Sequence, residues 1–228
     1  VKIIGVLSYF DERPSWLAGV VAGLYKAQVS HVVAVDGAYG LYPGGRPYSG
    51  PEQQASIVEV CRSLEMGCTW YAPQEPYFGN EVEKRNIAFR LAEAVAEPFE
   101  DWYFLADADH FVTSALGLTH RLREAPDDHD AGMVRFCEPY GAIPSWGPLR
   151  CVFRAIPGLK FEGNHYTYRT PDGRDLHAPD EPALDLSCVE VEHRTAHRDR
   201  YRKELQQDYY RRRDEMGVEQ PEHELTAA

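Results

Sequence analysis

Apolar runs of strand length alternate with segments of helical periodicity along the first half of this chain, and that alternation limits the fold more than any other feature. The spacing predicts a buried strand over residues 2–10, opened by Ile3, Ile4, Val6 and Leu7. Pro14 suits the first turn of a helix, and Trp16, Leu17, Val20, Val21, Leu24 and Tyr25 then recur on one helical face. Residues 31–35 form a second buried run, closed by Asp36-Gly37. Residues 37–51, rich in Gly, Pro and Tyr, read as a loop. Pro51 opens another helix with Ile57, Val58, Cys61 and Leu64 on one face and Gly67 at its end. Residues 68–72 are a third strand. Asn80 and Glu83 then fit an N-cap with its capping-box acid, before a helix through Ile87, Leu91 and Val95. A fourth strand, 102–106, runs directly into Asp107-Ala108-Asp109. Strands alternating with helices imply an α/β fold with a mostly parallel sheet, flanking helices and right-handed crossovers.

The second half reads differently. Short strand candidates at 131–137, 149–154 and 166–169 are separated by Pro and Gly turns such as Pro171-Asp172-Gly173. A charged helix is expected from about 196 to 216, with Tyr201, Leu205 and Tyr209 as its apolar stripe, followed by a polar tail. A smaller mixed second half and a C-terminal helix therefore follow the regular α/β half.

Parallel sheets of this kind bind ligands outside the carboxyl ends of their strands. Asp36 ends the second strand and Asp107 and Asp109 end the fourth, so the three acids fall on one edge. Asp-x-Asp alone is a weak signal, because Asp128-His129-Asp130 matches it too, in what reads as plain loop. Only the first copy follows a buried strand. Its alternative is a strand-end turn or helix cap. Carboxylates so spaced suit Mg²⁺ or Mn²⁺. Lys84 and Arg85 fall in a first helical turn, where basic groups oppose the helix dipole unless an anion sits nearby. A solvated helix face is the competing reading.

The net charge of −12 argues against broad nonspecific nucleic-acid binding. A local basic run (Arg194, Arg198, Arg200, Arg202, Lys203, Arg211, Arg212 and Arg213) reads either as a solvated helix face or as a dock for an anion. The five cysteines show no C-x-x-C pair, so free, mostly buried thiols in a reducing compartment are expected. No apolar run approaches the ~18 residues needed to cross a bilayer. Residues 1–7 lead into Asp11-Glu12-Arg13 rather than a cleavage site, so a first strand and a cytoplasmic protein are expected.

Four pieces, in order, resemble the GT-A glycosyltransferases, especially the family 2 type: residues 3–9, residues 32–36, Glu83-Lys84-Arg85-Asn86-Ile87-Ala88, and Asp107-Ala108-Asp109. The resemblance covers roughly residues 2–112. It implies a Rossmann-like GT-A fold with a nucleotide-sugar-binding half over 1–112, an acceptor-side half over 113–195, and a helix and tail over 196–228. It implies transfer of a sugar, with inversion, from a nucleotide-diphosphate donor such as a UDP-sugar to an acceptor hydroxyl. By the same resemblance Tyr9 stacks on the nucleobase, Asp36 contacts base or ribose, and Lys84 or Arg85 lies near the diphosphate. Asp107 touches ribose or metal, and Asp109 binds Mn²⁺ or Mg²⁺. His193, with His197 as its rival, completes the metal site. Residues 149–165 resemble the segment that leads to a His-Glu pair beside the acceptor, but this chain has His165-Tyr166. Glu162 and His165, with Glu138 behind them, are the candidates for the base that takes the acceptor's proton. The acceptor stays open: protein, glycan, lipid headgroup, small molecule or modified DNA. Two alternatives also stand, a nucleotidyltransferase acting on a sugar-phosphate and a non-catalytic module that binds a nucleotide-sugar.

Overall fold

A computed structural model describes residues 1–44, 46–77, 81–138, 145–162, 167–194 and 200–216. The first half runs β1 (Ile3–Ser8), α1 (Pro14–Lys26), β2 (His31–Val35), α2 (Pro51–Ser63), β3 (Gly67–Tyr71), α3 (Glu81–Glu93) and β4 (Trp102–Asp107). Both Pro14 and Pro51 begin their helices, each after a residue in extended conformation. Their missing N–H groups would have had no intrahelical partner there. Gly67 starts β3 rather than closing α2. The reversal is made by Leu64 and Glu65, the latter in the left-handed region at φ 55°. Asn80, the expected cap of α3, lies outside the described residues.

The second half contributes β5 (His110–Ala115), α4 (Leu118–Arg123), β6 (Ala131–Glu138), β7 (Ser145–Arg154), β8 (Lys160–Glu162), β9 (Thr167–Arg169), β10 (Ala183–His193) and α5 (Arg200–Glu215). Four of these strands extend the sheet begun by the first half. Its order is β3-β2-β1-β4-β7-β6-β10-β5, while β8 and β9 form a separate hairpin. Among the eight strands of the large sheet only β7 and β5 run against the rest. β5 and β8 are not anticipated by the strand candidates above, whereas β10 answers to a strand-like stretch that leads into Val191-Glu192-His193. β5 follows the Asp-x-Asp turn at once, with no Gly or Pro between it and β4.

The sheet reverses its winding between β1 and β4. From β1 the chain moves outward through β2 to β3, and α3 then carries it back across to β4. Ser8 pairs with Val35 on one side and with Asp107 on the other. Tyr9, Asp36 and Asp107 therefore leave the sheet at one level, at its topological switch point. Beneath them Leu7, Val33, Val35, Trp102 and Phe104 are each at most 1% exposed. Each such side chain contributes about 1.5–3 kcal/mol by leaving water.

The second Asp-x-Asp differs from the solvated loop expected of it. Asp130 is buried and accepts from Arg154 Nε at 2.9 Å and from an Arg174 terminal nitrogen at 2.8 Å. Arg154 also covers the Trp102 ring at 4.7 Å. Asp130 precedes β6, so this ion-pair cluster closes the sheet edge opposite Asp107.

Candidate metal and ligand site

At the carboxyl edge, β4 ends and β5 begins within three residues, and this short reversal carries the Asp-x-Asp turn. Its backbone is held from two sides. Trp16 Nε1 donates to the Ala108 carbonyl at 2.6 Å, and the Arg194 N–H donates to the Asp109 carbonyl at 2.8 Å. β5 then pairs antiparallel with β10 so that His110 stands opposite His193. Thr113 is an extra residue in that ladder, since Ser114 pairs with Glu190 and Val112 with Val191. Such a bulge re-aims the side chains beyond it.

Asp109, His110 and His193 converge as a result. Asp109 is 5% exposed, and its Oδ2 lies 3.0 Å from His193 Nε2. One ligand atom from each of the three residues lies within 4.8 Å of the other two. The His110 and His193 rings meet edge-on at 5.4 Å, and Phe136 packs on both. Burial holds the His110 pKa down despite Asp107 and Asp109 beside it, which favours the neutral imidazole a metal requires. One carboxylate oxygen and two imidazole nitrogens are a chemically sound ligand set for a divalent cation. His110 was missed in the sequence reading. Its signal was its place directly after the motif, at the start of a strand that pairs with the one bearing His193.

Asp107 sits beside this cluster rather than in it. Its Oδ1 and Oδ2 accept from one terminal nitrogen of Arg85 at 3.0 and 3.1 Å, and Arg85 also pairs with Glu81 one helical turn away. Burial opposes the Asp107 charge, but the Arg85 guanidinium outweighs it and holds the carboxyl below its usual range. Arg85, Asp107, His110, Arg150 and Tyr168 line a cleft between the end of β4 and the middle of β7. Arg85 thus projects inward, not onto a solvated helix face.

Lys84 is also turned inward. It is 3% exposed, and Nζ donates to the carbonyls of Tyr9 at 2.6 Å and Gly37 at 2.9 Å. Burial pushes its pKa down to about 8, with Asp36 and Asp107 offsetting part of the effect. The ammonium thereby ties the chain leaving β1 to the chain leaving β2. Asp36, at the end of β2, is 1% exposed. Its Oδ1 accepts from the Gly37 N–H and the Ser49 hydroxyl, both at 2.6 Å, and its Oδ2 from the Ser49 N–H at 2.8 Å. The carboxylate closes the 37–49 loop onto the sheet. Gly37 has φ 123°, and a Cβ there would fall 2.7 Å from Pro73 and Tyr77. Tyr9 is 2% exposed, and its hydroxyl accepts from Trp70 Nε1 at 2.6 Å. Its ring therefore lies in the core rather than at an open edge. These three residues tie together the chain segments that leave β1 and β2.

The β8–β9 hairpin docks on α3. The Asn86 side-chain amide donates to the Phe161 carbonyl at 2.9 Å and accepts from the Phe161 N–H at 2.8 Å, and Arg85 lies over the Phe161 ring at 5.5 Å. Glu162 follows Phe161. Its hydrogen bond with Lys160 and its 3.0 Å pair with Arg169 hold its pKa down, which weakens it as a base. Glu138 ends β6 opposite Ser145. His165 and His197 lie outside the described residues.

Helix α5 closes over the first loop. Arg202 donates to the Phe10 carbonyl at 2.7 Å and pairs with the buried Glu12 at 3.4 Å. Tyr209 packs on Tyr39 and Tyr42 at 5.5 and 5.8 Å. Arg200, Arg211 and Arg212 remain exposed, so the basic run splits into a docking residue and solvated ones. No described helix is long and apolar enough to cross a membrane. The chain matches no model of a known protein family and no curated protein.

Proposed function

We propose that this chain is a metal-dependent glycosyltransferase of the GT-A type, moving a sugar from a nucleotide-diphosphate donor, such as a UDP-sugar, to an acceptor hydroxyl. The observation that carries the proposal is the Asp109–His110–His193 cluster at the carboxyl edge of a doubly wound sheet, beside its switch point. Asp109, His110 and His193 would hold the ion, and the two imidazoles favour Mn²⁺ over Mg²⁺. A divalent ion bound there neutralises the charge that builds on a departing diphosphate, an effect of several kcal/mol. Arg85 brings a guanidinium to the same cleft and, by holding Asp107, keeps that carboxylate from repelling the donor's phosphates. Asn86 fixes the hairpin that carries Glu162 next to the cleft.

The test is thermal unfolding with Mn²⁺ and a panel of nucleotide-sugars, followed by a donor-hydrolysis assay that needs no acceptor. A donor at about a hundredfold its Kd contributes about 2.7 kcal/mol, which raises Tm by about 5–10 °C in a chain of this size. Asp109→Ala and His193→Ala are expected to abolish both the Mn²⁺-dependent shift and hydrolysis. An unchanged Tm across the whole panel, or full hydrolysis by Asp109→Ala, would sink the proposal. The non-catalytic reading draws on one observation, the neutralisation of Glu162 by Lys160 and Arg169. Donor binding without hydrolysis or transfer to any acceptor would favour it.

A further inference from the structure

The cleft beside Asp107 opens because two strands part. β4 and β7 pair only from Trp102 and Arg154 to Phe104 and Val152. Beyond that point β7 stays on β6 as far as Ser145, while β4 turns into the Asp-x-Asp reversal. Two guanidinium groups belong to the lining of this opening, and they are satisfied differently. Arg85 is neutralised by Asp107 and Glu81. Arg150 is half-buried and has no carboxylate partner among the described residues. One of its terminal nitrogens donates to the carbonyl of the buried Leu176 at 3.0 Å. Leu176 is in turn tied to β9, its N–H donating to the Tyr168 carbonyl at 2.9 Å. We propose that Arg150 binds a carboxylate or phosphate carried by the acceptor, so that the second substrate is an anionic hydroxy compound.

The inference rests on the proposed function and names the chemistry of its second reactant. The Leu176 carbonyl holds the Arg150 head group by one terminal nitrogen. Nε and the other terminal nitrogen are left on a common edge, and that edge matches two oxygens of a carboxylate or phosphate. Position argues against the donor's own diphosphate as the occupant. A nucleotide at the switch point lies between β1 and β4, and its diphosphate would meet the ion on Asp109, His110 and His193. Arg150 is on β7, at the other flank of β4 from β1. Arg85 spends its charge on two acids of the chain, so the charge that an incoming anion meets on the β7 side is that of Arg150.

The test uses the full chain with Mn²⁺ and saturating UDP, which fills the place of the diphosphate. Glucuronate is titrated against glucose, and glycerol phosphate against glycerol, by calorimetry. The acids are expected to bind at least about tenfold tighter than their neutral counterparts, the loss typical of a hydrogen-bonded charge. Arg150→Gln should erase that preference, and Arg150→Lys, which keeps the charge without the fork, should recover part of it. In heteronuclear NMR the Arg150 Nε–H signal, assigned by its absence from Arg150→Gln, should move with the acids and not with the neutral compounds. Circular dichroism checks that both variants fold. Equal binding of acid and neutral compound, or a preference that survives in Arg150→Gln, would overturn the assignment. So would a loss of UDP affinity in Arg150→Gln as large as the loss for the acids, which would give Arg150 to the diphosphate. An Arg150-dependent preference for UDP-glucuronate over UDP-glucose would place the acid on the donor sugar and overturn it too. Nucleotide-sugar hydrolysis is followed in the same samples. Hydrolysis without any acid preference refutes this inference alone, whereas absence of both UDP binding and hydrolysis refutes the proposed function and this inference with it.

Discussion

Lys84 sets a measurable pH dependence on the stability of the whole chain. Its ammonium is buried against two main-chain carbonyls, and its pKa falls from the ordinary 10.5 to about 8. That gap is worth roughly 3 kcal/mol, each pH unit counting for about 1.4 kcal/mol. The sign follows from proton binding. Between pH 8 and 10.5 the unfolded chain holds this proton more firmly than the folded one, so stability rises with pH across that window. Most of that gain, roughly 2–3 kcal/mol, falls between pH 7 and pH 10. Lys84→Met fills similar volume and removes the titration. It also orphans the Tyr9 and Gly37 carbonyls, a loss that does not vary with pH. Urea unfolding followed by circular dichroism, at pH 7, 8.5 and 10, gives the difference between the two proteins, and titrations common to both cancel. The wild-type chain should gain on the variant by roughly 2–3 kcal/mol from pH 7 to pH 10. A difference that stays flat, or that shrinks as pH rises, would refute the account of Lys84 as a buried, charged staple.

Two further substitutions probe how the site is supported. Asn86→Ala removes both bonds to the Phe161 main chain and should cost about 1–3 kcal/mol. Hydrogen exchange should quicken at Phe161 and along β8 and β9 while β1–β4 keep their protection. Asp130→Ala leaves Arg154 and Arg174 without their shared carboxylate and should cost about 3 kcal/mol by urea unfolding, at the low end for breaking a buried pair. Arg154 keeps its carbonyl partners at Phe99, Pro126 and His129, which limits the loss. Mn²⁺ binding by Asp130→Ala should be unchanged, because this cluster lies at the opposite edge of the sheet.

The first half of the fold was legible because its signals are local. Each buried run is bounded by a proline, a glycine or an acid, and the four strands place Tyr9, Asp36 and Asp107 level by alternation alone. Side-chain direction was not legible in the same way. Lys84 and Arg85 are neighbours on α3, yet one anchors main-chain carbonyls and the other holds Asp107, and nothing in their spacing separates those roles. The second half depends on pairing between distant segments. β10 finds β5 across some seventy residues of chain, and strand 110–115 has no Gly or Pro to separate it from β4. His110 escaped notice for that reason, although it adjoins the motif.

If the cluster holds a cation as proposed, the pairing of His110 with His193 would also make its binding a gauge of how much of the chain has folded. Two ligands arrive with the β4–β5 turn, and the third arrives on the last strand of the sheet. A chain ending before residue 193 can form every strand of the early half and still lack the third ligand. An ion held by all three would tie residue 109 to residue 193, and its binding energy would add to that of folding. Metal affinity, followed during refolding, would then mark the moment at which β10 seats against β5.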